Sequence, residues 1–122
     1  MKIIVTGGSG FIGGHLVKFL LNKNHTVLNI DKLSKYSVNE SLDNLKKNKK
    51  YFFKKIDLQN FNNLNEIVFK FEPQVIYNLA AESHVDRSIL SPKTFVKSNI
   101  NSTINLLEVC RNYLNKNQRL KK

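Results

Sequence analysis

Short apolar runs alternate along the chain with longer segments in which apolar residues recur every three or four positions. Four runs bounded by glycine or polar residues predict strands, at 2–6, 26–30, 51–56 and 75–81. The periodic segments predict helices, at 11–23, 39–48 and 61–71 and from Pro92 onward. Asn60 is predicted to cap the third of these helices, and Ser91 the last.

Strands that alternate with helices indicate right-handed crossovers and a parallel sheet. We therefore predict an α/β fold, a Rossmann-like doubly wound parallel sheet that is incomplete, with about four strands in the order 3-2-1-4. In such sheets, ligands bind beyond the carboxyl ends of the strands, near the switch between strands 1 and 4. The candidate residues below all follow predicted strand ends.

The last predicted helix carries an apolar stripe, which we expect to be its buried face: Val96, Ile100, Thr103, Leu107, Cys110 and Leu114. A cysteine within that stripe is predicted to be a core thiol and not a nucleophile. It is also the single cysteine of the chain, so it forms no internal disulfide.

All five glycines fall between positions 7 and 14. The run follows the first predicted strand and opens the first predicted helix, the arrangement that aims helix N–H groups at a phosphate. Both Gly7-x-x-Gly10-x-x-Gly13 and Gly8-x-Gly10-x-x-Gly13 fit dinucleotide fingerprints. A P-loop is excluded because Gly14-His15 stands where that motif needs Lys-Ser/Thr. The run predicts a phosphate or dinucleotide site.

Asp31 ends the second predicted strand, roughly 18 residues after Gly13, where a carboxylate can accept hydrogen bonds from ribose hydroxyls. Its charge would repel a 2′-phosphate, so NAD is favoured over NADP. Lys32 beside it leaves that preference open. The structural alternative is that Asp31 is only a turn or cap residue.

Composition narrows the class of protein. The 122 residues are 41% apolar, enough for one domain with a modest core, and the net charge is +11. The densest basic run, 46–50, lies beside a predicted turn without interleaved aromatic residues, so no nucleic-acid binding is expected. Long membrane spans, a signal peptide and metal-binding Cys/His clusters are not recognised, so a cytoplasmic protein with no metal and no membrane contact is expected.

Two stretches resemble known proteins. Thr6-Gly7-Gly8-Ser9-Gly10-Phe11-Ile12-Gly13 resembles the opening of the extended short-chain dehydrogenases that modify nucleotide sugars. Leu79-Ala80-Ala81-Glu82-Ser83-His84-Val85-Asp86-Arg87-Ser88 resembles, more specifically, the dTDP-glucose 4,6-dehydratase family. The resemblance covers essentially the whole chain but only the front part of such an enzyme.

The resemblance implies NAD as the cofactor, and it assigns contacts along the dinucleotide. The pyrophosphate would lie along Gly7, Gly10, Phe11, Ile12 and Gly13. The adenosine ribose would lie at Asp31, Lys32, Leu33 and Ser34, and the adenine beside Asp57 and Leu58. The nicotinamide side would be lined by Leu79, Ala80, Ala81, Glu82 and Ser83. Ser98 would contact the cofactor where the family usually has threonine, and Ser83 would also reach the sugar.

His84, Asp86 and Arg87 invite two interpretations. Either a salt bridge of Asp86 and packing of Val85 hold a loop, which we favour, or Arg87 or His84 shapes the substrate pocket.

Enzymes of this family oxidise the hexose, eliminate water and return the hydride, using a Tyr-x-x-x-Lys pair that follows a fifth strand. Tyr51 and Lys55 have that spacing, but on a strand they would stand roughly 13 Å apart, so they are rejected as catalytic.

We therefore expect residues 1–122 to be a partial NAD-binding Rossmann domain without catalytic residues, the remainder and the substrate domain being absent. The parent enzyme would be a homodimer acting on dTDP-glucose. The alternatives are an epimerase or decarboxylase of the same superfamily, or a non-catalytic dinucleotide-binding module.

Overall fold

The computed structural model describes residues 1–34, 37, 40–83 and 85–119. Its strands are β1 (Lys2–Thr6), β2 (Thr26–Asp31), β3 (Tyr51–Lys55) and β4 (Val75–Asn78). Its helices are α1 (Phe11–Asn22), α2 (Glu40–Asp43), α3 (Phe61–Phe71), α4 (Val85–Leu90), α5 (Pro92–Val96) and α6 (Ser102–Arg119). A 3₁₀ turn at Asn44–Lys47 follows α2, and a π-helical turn at Lys97–Asn101 joins α5 to α6.

The four strands form one parallel sheet in the order β3-β2-β1-β4. Ile3 of β1 is in register with Val27 of β2 and with Val75 of β4, and Val27 is in register with Tyr51 of β3. The predicted fold class and strand order are therefore confirmed.

The chain divides into two compact units. The described residues of Met1–Ile56 and Phe71–Ala80 form the first unit, and those of Asp57–Lys70 and Ala81–Lys122 form the second. The first unit contains the sheet and α1, and the second contains most of α3 and all of α4 to α6.

The core of the first unit lies between α1 and one face of the sheet. Its buried residues come from α1 and from three strands: Val17, Leu20, Leu21, Ile3, Val5, Val27 and Tyr51. Ile4, on the opposite face of β1, is also fully buried. Burial on both faces is typical of central strands in parallel sheets, and it explains the continuous apolar run Ile3-Ile4-Val5 in β1.

Local signals set the ends of α3 as predicted. The Asn60 side-chain oxygen accepts a hydrogen bond from the Asn63 backbone N–H at 3.1 Å, which confirms the cap. At the other end, Glu72 adopts a left-handed φ of 54° immediately before Pro73. Because proline cannot continue the helix, the chain turns there toward β4.

The buried face of α6 differs from the predicted one. The buried positions of α6 are Ser102, Leu106 and Val109, which continue from Ser98 in the π-helical turn, whereas the predicted stripe is largely exposed, with Leu107 at 64% and Leu114 at 57%. The prediction was wrong because apolar residues occupy more than one face of this helix. Cys110 is half-buried, and burial raises the pKa of its thiol, which disfavours a reactive thiolate.

The segment that follows β4 was also predicted incorrectly in part. Val85–Leu90 forms the short helix α4 instead of a loop, and Val85 is 71% exposed, so the expected packing of its side chain is wrong. Asp86 lies in the first turn of this helix. His84 lies outside the described residues.

Candidate functional site

The turn between β1 and α1 has a shape that glycine alone permits at two positions. Gly7 has a left-handed φ of 69°, and a Cβ there would lie 2.7 Å from the Ala80 nitrogen. A Cβ on Gly13 would lie 2.1 Å from the Gly7 carbonyl oxygen. The turn is closed by a hydrogen bond from the Gly10 N–H to that oxygen at 3.1 Å. These contacts bring α1 close to the end of β1.

The amino end of α1 is suited to an anion. Gly10 precedes its first turn without a side-chain cap, and this turn contains no acidic residue. The first N–H groups of a helix have no partner within it and carry a partial positive charge. Phe11 and Ile12, the first two residues, are 75% and 70% exposed, so the first turn of α1 lies at the surface. The arrangement can bind a phosphate or pyrophosphate through main-chain N–H groups.

Asp31 ends β2 with its carboxylate fixed beside this turn. One carboxylate oxygen accepts from the Ser9 N–H at 3.0 Å, and the other accepts from the Leu33 N–H at 2.8 Å. The second bond supports the left-handed φ of 57° at Leu33. Each oxygen has a further lone pair, so the carboxylate can still accept from a ligand hydroxyl. Asp31 is thus a turn residue and a candidate ligand contact at once.

Lys32, Leu33 and Ser34 follow Asp31 directly and are half-buried or exposed. They lie at the same edge of the sheet as Asp31, where the resemblance places the adenosine ribose.

The end of β4 is tied to the end of β1. The Thr6 hydroxyl donates to the Asn78 side-chain oxygen at 2.6 Å and accepts from the Ala80 N–H at 3.3 Å. The Leu79 N–H donates to the Thr6 carbonyl at 3.1 Å. The first unit therefore brings Leu79 and Ala80 close to Gly7, at the switch between β1 and β4. Thr6 and Asn78 were not predicted as site residues, although their polar side chains interrupt or end apolar runs.

The other predicted contacts lie in the second unit. The backbone of Glu82 is held on both sides by Asn99, whose side-chain oxygen accepts from the Glu82 N–H at 2.7 Å and whose amide donates to the Glu82 carbonyl at 2.9 Å. This clamp was not predicted. It fixes the chain between Ala81 and Ser83.

Three further predicted residues of this unit differ in accessibility. Asp57 is half-buried and accepts from the Gln59 N–H at 2.9 Å. Leu58 is 5% exposed, and its carbonyl accepts from the Asn105 amide at 3.0 Å. Ser98 is 8% exposed. Contacts of these residues with a cofactor remain predictions.

Tyr51 and Lys55 belong to β3, as expected, and so do not form a helical Tyr-x-x-x-Lys pair. The Tyr51 hydroxyl accepts from the Asn29 side-chain amide at 3.2 Å. Burial raises the pKa of Tyr51 above its ordinary value of 10.0, which keeps the phenol neutral. Tyr51 is therefore a structural residue.

In the described part of the chain, no three His, Cys, Asp or Glu side chains gather as a metal site would require. None of the helices described has the length and apolar character to cross a membrane.

Solved structures share this arrangement. The dTDP-glucose 4,6-dehydratase of Streptomyces venezuelae, solved with NAD and TYD bound, is 30% identical with a TM-score of 0.86, over 93% of this chain and 36% of that one. The UDP-glucose 4-epimerase of Thermus thermophilus, in complex with NAD, is 32% identical with a TM-score of 0.82, over 93% and 34%.

Sequence relatives lie in the same group of enzymes. The dTDP-glucose 4,6-dehydratase of Haemophilus influenzae is 48% identical over 117 residues, which are 93% of this chain and 34% of that protein. The dTDP-glucose 4,6-dehydratase 1 of Escherichia coli K12 is 42% identical over 93% of this chain and 32% of its own length. The chain thus spans about a third of the length of these relatives. The family described as GDP-mannose 4,6 dehydratase matches residues 4–121, and the chain belongs to that family.

Proposed function

We propose that this chain binds NAD at the carboxyl edge of the sheet in its first unit, and that it is the cofactor-binding part of a dTDP-glucose 4,6-dehydratase. One observation carries the cofactor proposal. The Asp31 carboxylate is held 3.0 Å from the Ser9 N–H of the glycine turn. A ribose acceptor and a pyrophosphate cradle are therefore fixed to each other, as an adenine dinucleotide requires.

The residues present fit the cofactor. A side chain at Gly13 would clash with the Gly7 carbonyl, so glycine there lets α1 approach the turn closely. Glycine at position 7 likewise lets the turn lie against Ala80. The backbone of Gly10, Phe11 and Ile12 would bind the pyrophosphate, and Asp31 the adenosine ribose. When bound, NAD supplies a hydride acceptor that later returns the hydride. NAD is preferred over NADP because Asp31 would repel a 2′-phosphate, although Lys32 lies beside it.

The remaining assigned residues belong to the proposal through the family resemblance. The resemblance assigns five consecutive residues to the nicotinamide side: Leu79, Ala80, Ala81, Glu82 and Ser83. Asp57, Leu58 and Ser98 would complete the cofactor contacts. The clamp of Asn99 on the Glu82 backbone supports this assignment, because it gives the segment a fixed conformation.

A direct experiment is hydrogen exchange of the chain with and without NAD. We expect NAD to protect backbone amides within 7–13 and 31–34 and to leave the helical turn at 44–47 unchanged. NADP at the same concentration is expected to protect these segments less. If NAD protects these amides at none of the concentrations tested, the cofactor proposal is refuted.

The substrate proposal rests on the 48% identity to the Haemophilus enzyme and on the stretch 79–88. Ser83 would contact the sugar. We further propose that residues 1–122 alone do not complete the reaction, which the burial of Tyr51 in β3 supports. Conversion of dTDP-glucose to its 4-keto-6-deoxy product by the purified chain would refute this last point. That the parent enzyme is a homodimer stays a prediction, and sedimentation of the full-length enzyme would test it by measuring its mass in solution.

A second candidate is a nucleotide-sugar epimerase of the same superfamily. The UDP-glucose 4-epimerase of Thermotoga maritima, solved with UDP-glucose, is 33% identical with a TM-score of 0.83. Titration of the NAD-saturated chain with both sugar nucleotides separates the candidates: preference for dTDP-glucose, weakened by Ser83→Ala, supports the dehydratase. Preference for UDP-glucose favours the epimerase.

A further inference from the structure

Asn29 is a fully buried amide in the middle of an apolar strand. It lies in β2 at 0% exposure, between Leu28 and Ile30, which are also buried. Burial of an amide is unfavourable unless its hydrogen-bonding groups find partners. An apolar residue would serve packing better at this position, so the amide calls for an explanation other than core formation.

Both N–H groups of the Asn29 amide are accounted for by two hydroxyls. The nitrogen donates to the Ser9 hydroxyl at 3.2 Å and to the Tyr51 hydroxyl at 3.2 Å. Ser9 itself is 1% exposed, so its hydroxyl faces the sheet and not a ligand. Asn29 therefore ties the glycine turn, through Ser9, to the side chain of a neighbouring strand.

Ser9 is also held by Asp31, at the carboxyl end of β2. Because side chains alternate along a strand, Asn29 and Asp31 lie on the same face of β2. Asn29 bonds the Ser9 side chain, while the Asp31 carboxylate accepts from the Ser9 backbone N–H at 3.0 Å. Ser9 is thus fixed at two points, and the second point is the carboxylate proposed to bind ribose.

The amide oxygen of Asn29 is buried without forming a hydrogen bond to any of the described residues. It faces Gly8, where a Cβ would lie 2.3 Å from it. This fit requires glycine at position 8, in addition to the tight turn for which the Gly8-x-Gly10-x-x-Gly13 fingerprint requires it.

We propose that Asn29 is a positioning residue for the cofactor site: acting through Ser9, it sets the distance between the glycine turn and the Asp31 carboxylate. The inference rests on the proposed binding of NAD and assigns a residue that contacts no part of the cofactor. Loosening Ser9 would let the turn and the carboxylate move apart. Affinity for NAD would fall, and so would discrimination against NADP, because both depend on where the Asp31 charge lies.

Two variants that each remove one hydroxyl test this proposal. Ser9→Ala and Tyr51→Phe each delete an oxygen 3.2 Å from the same Asn29 nitrogen, but only Ser9 belongs to the turn. We expect Ser9→Ala to raise the Kd for NAD about fivefold, the effect of losing one hydrogen bond, and Tyr51→Phe to change it by less than about twofold. The ratio of the Kd values for NADP and NAD should fall in Ser9→Ala alone.

The ratio of the Kd values for NADP and NAD distinguishes a loss of positioning at Asp31 from a general loss of stability. Titration calorimetry gives both Kd values, and circular dichroism shows that each variant is folded. Equal effects of the two variants on NAD affinity, an unchanged NADP-to-NAD ratio, or failure of Ser9→Ala to fold would each overturn the proposal. If the wild-type chain does not bind NAD, the proposed function is refuted, and the wild-type titration alone shows this.

Discussion

The glycine turn of the first unit and helix α6 of the second differ in how strongly their residues determine their structure. In the turn, the backbone of Gly7 is left-handed and a side chain on Gly13 would lie 2.1 Å from a carbonyl oxygen, so alternatives are sterically excluded. In α6, Leu106 is 5% exposed and its neighbour Leu107 is 64% exposed, although the two residues are chemically identical. Local steric demands are readable from residue type, whereas the choice between two apolar faces depends on what packs against them.

The largest expected effect is at Gly13. Its Cβ in Gly13→Ala would meet backbone atoms of Gly7 and Gly8 that cannot move without opening the turn. We expect a loss of about 3 kcal/mol in the free energy of unfolding. Gly10→Ala is the matched control, since its Cβ would come no closer than 3.3 Å to its nearest neighbour, and it should lose less than about 1 kcal/mol. Urea unfolding measures both, and equal losses would refute the steric account.

The next effect concerns the buried face of α6. Leu106→Ala removes a buried side chain and should lower the free energy of unfolding by about 2–4 kcal/mol. The same substitution at Leu107 removes a mostly exposed one and should cost less than about 1 kcal/mol. Thermal unfolding of dilute protein compares the two. A larger loss at Leu107 would restore the face predicted from the sequence.

A smaller effect is expected at the cap of α3. Asn60→Ala removes the oxygen that accepts from the Asn63 N–H and should cost about 1 kcal/mol of stability. Asn62→Ala, at an exposed position inside the same helix, is the control and should be neutral or slightly stabilising. Chemical unfolding distinguishes the two. Indistinguishable variants would show that the cap contributes nothing.

The smallest effect depends on pH. Burial raises the folded-state pKa of Tyr51 above its ordinary value of 10.0, so the unfolded chain loses this proton first as the pH rises. The contribution to stability is therefore present below that ordinary value and is lost as the pH increases through the folded-state pKa. The stability of Tyr51→Phe should fall less steeply than that of wild type in this alkaline range. Parallel pH profiles would contradict the assignment.

Much of the fold followed from the sequence because each signal acts locally. Apolar runs gave the four strands, alternation with helices gave the order β3-β2-β1-β4, and Asn60 marked the start of α3. The glycine run and Asp31 could be selected as candidates because residue type and position at a strand end mark them. Their contacts with Ala80 and Ser9, in contrast, join different elements.

The rest required tertiary contacts that a sequence does not display. The partners of Asn29, Thr6 and Asn99 lie on other elements, so their hydrogen bonds could not be paired in advance. Polar residues inside apolar runs were nevertheless a usable signal, since a buried amide or hydroxyl needs a partner. α4 was missed because its six residues, Val85–Leu90, are too few to display a distinct helical period.

The central claim is that Asp31 and the glycine turn form one NAD site, and the most direct test is calorimetric titration of NAD into wild type and Asp31→Ala. Loss of a hydrogen bond to a charged group predicts a Kd at least about tenfold higher in the variant. Asp43→Ala is the control, because it removes a carboxylate that forms an exposed ion pair with Lys46 and should leave the Kd unchanged. Equal NAD affinity in wild type and Asp31→Ala would contradict the account.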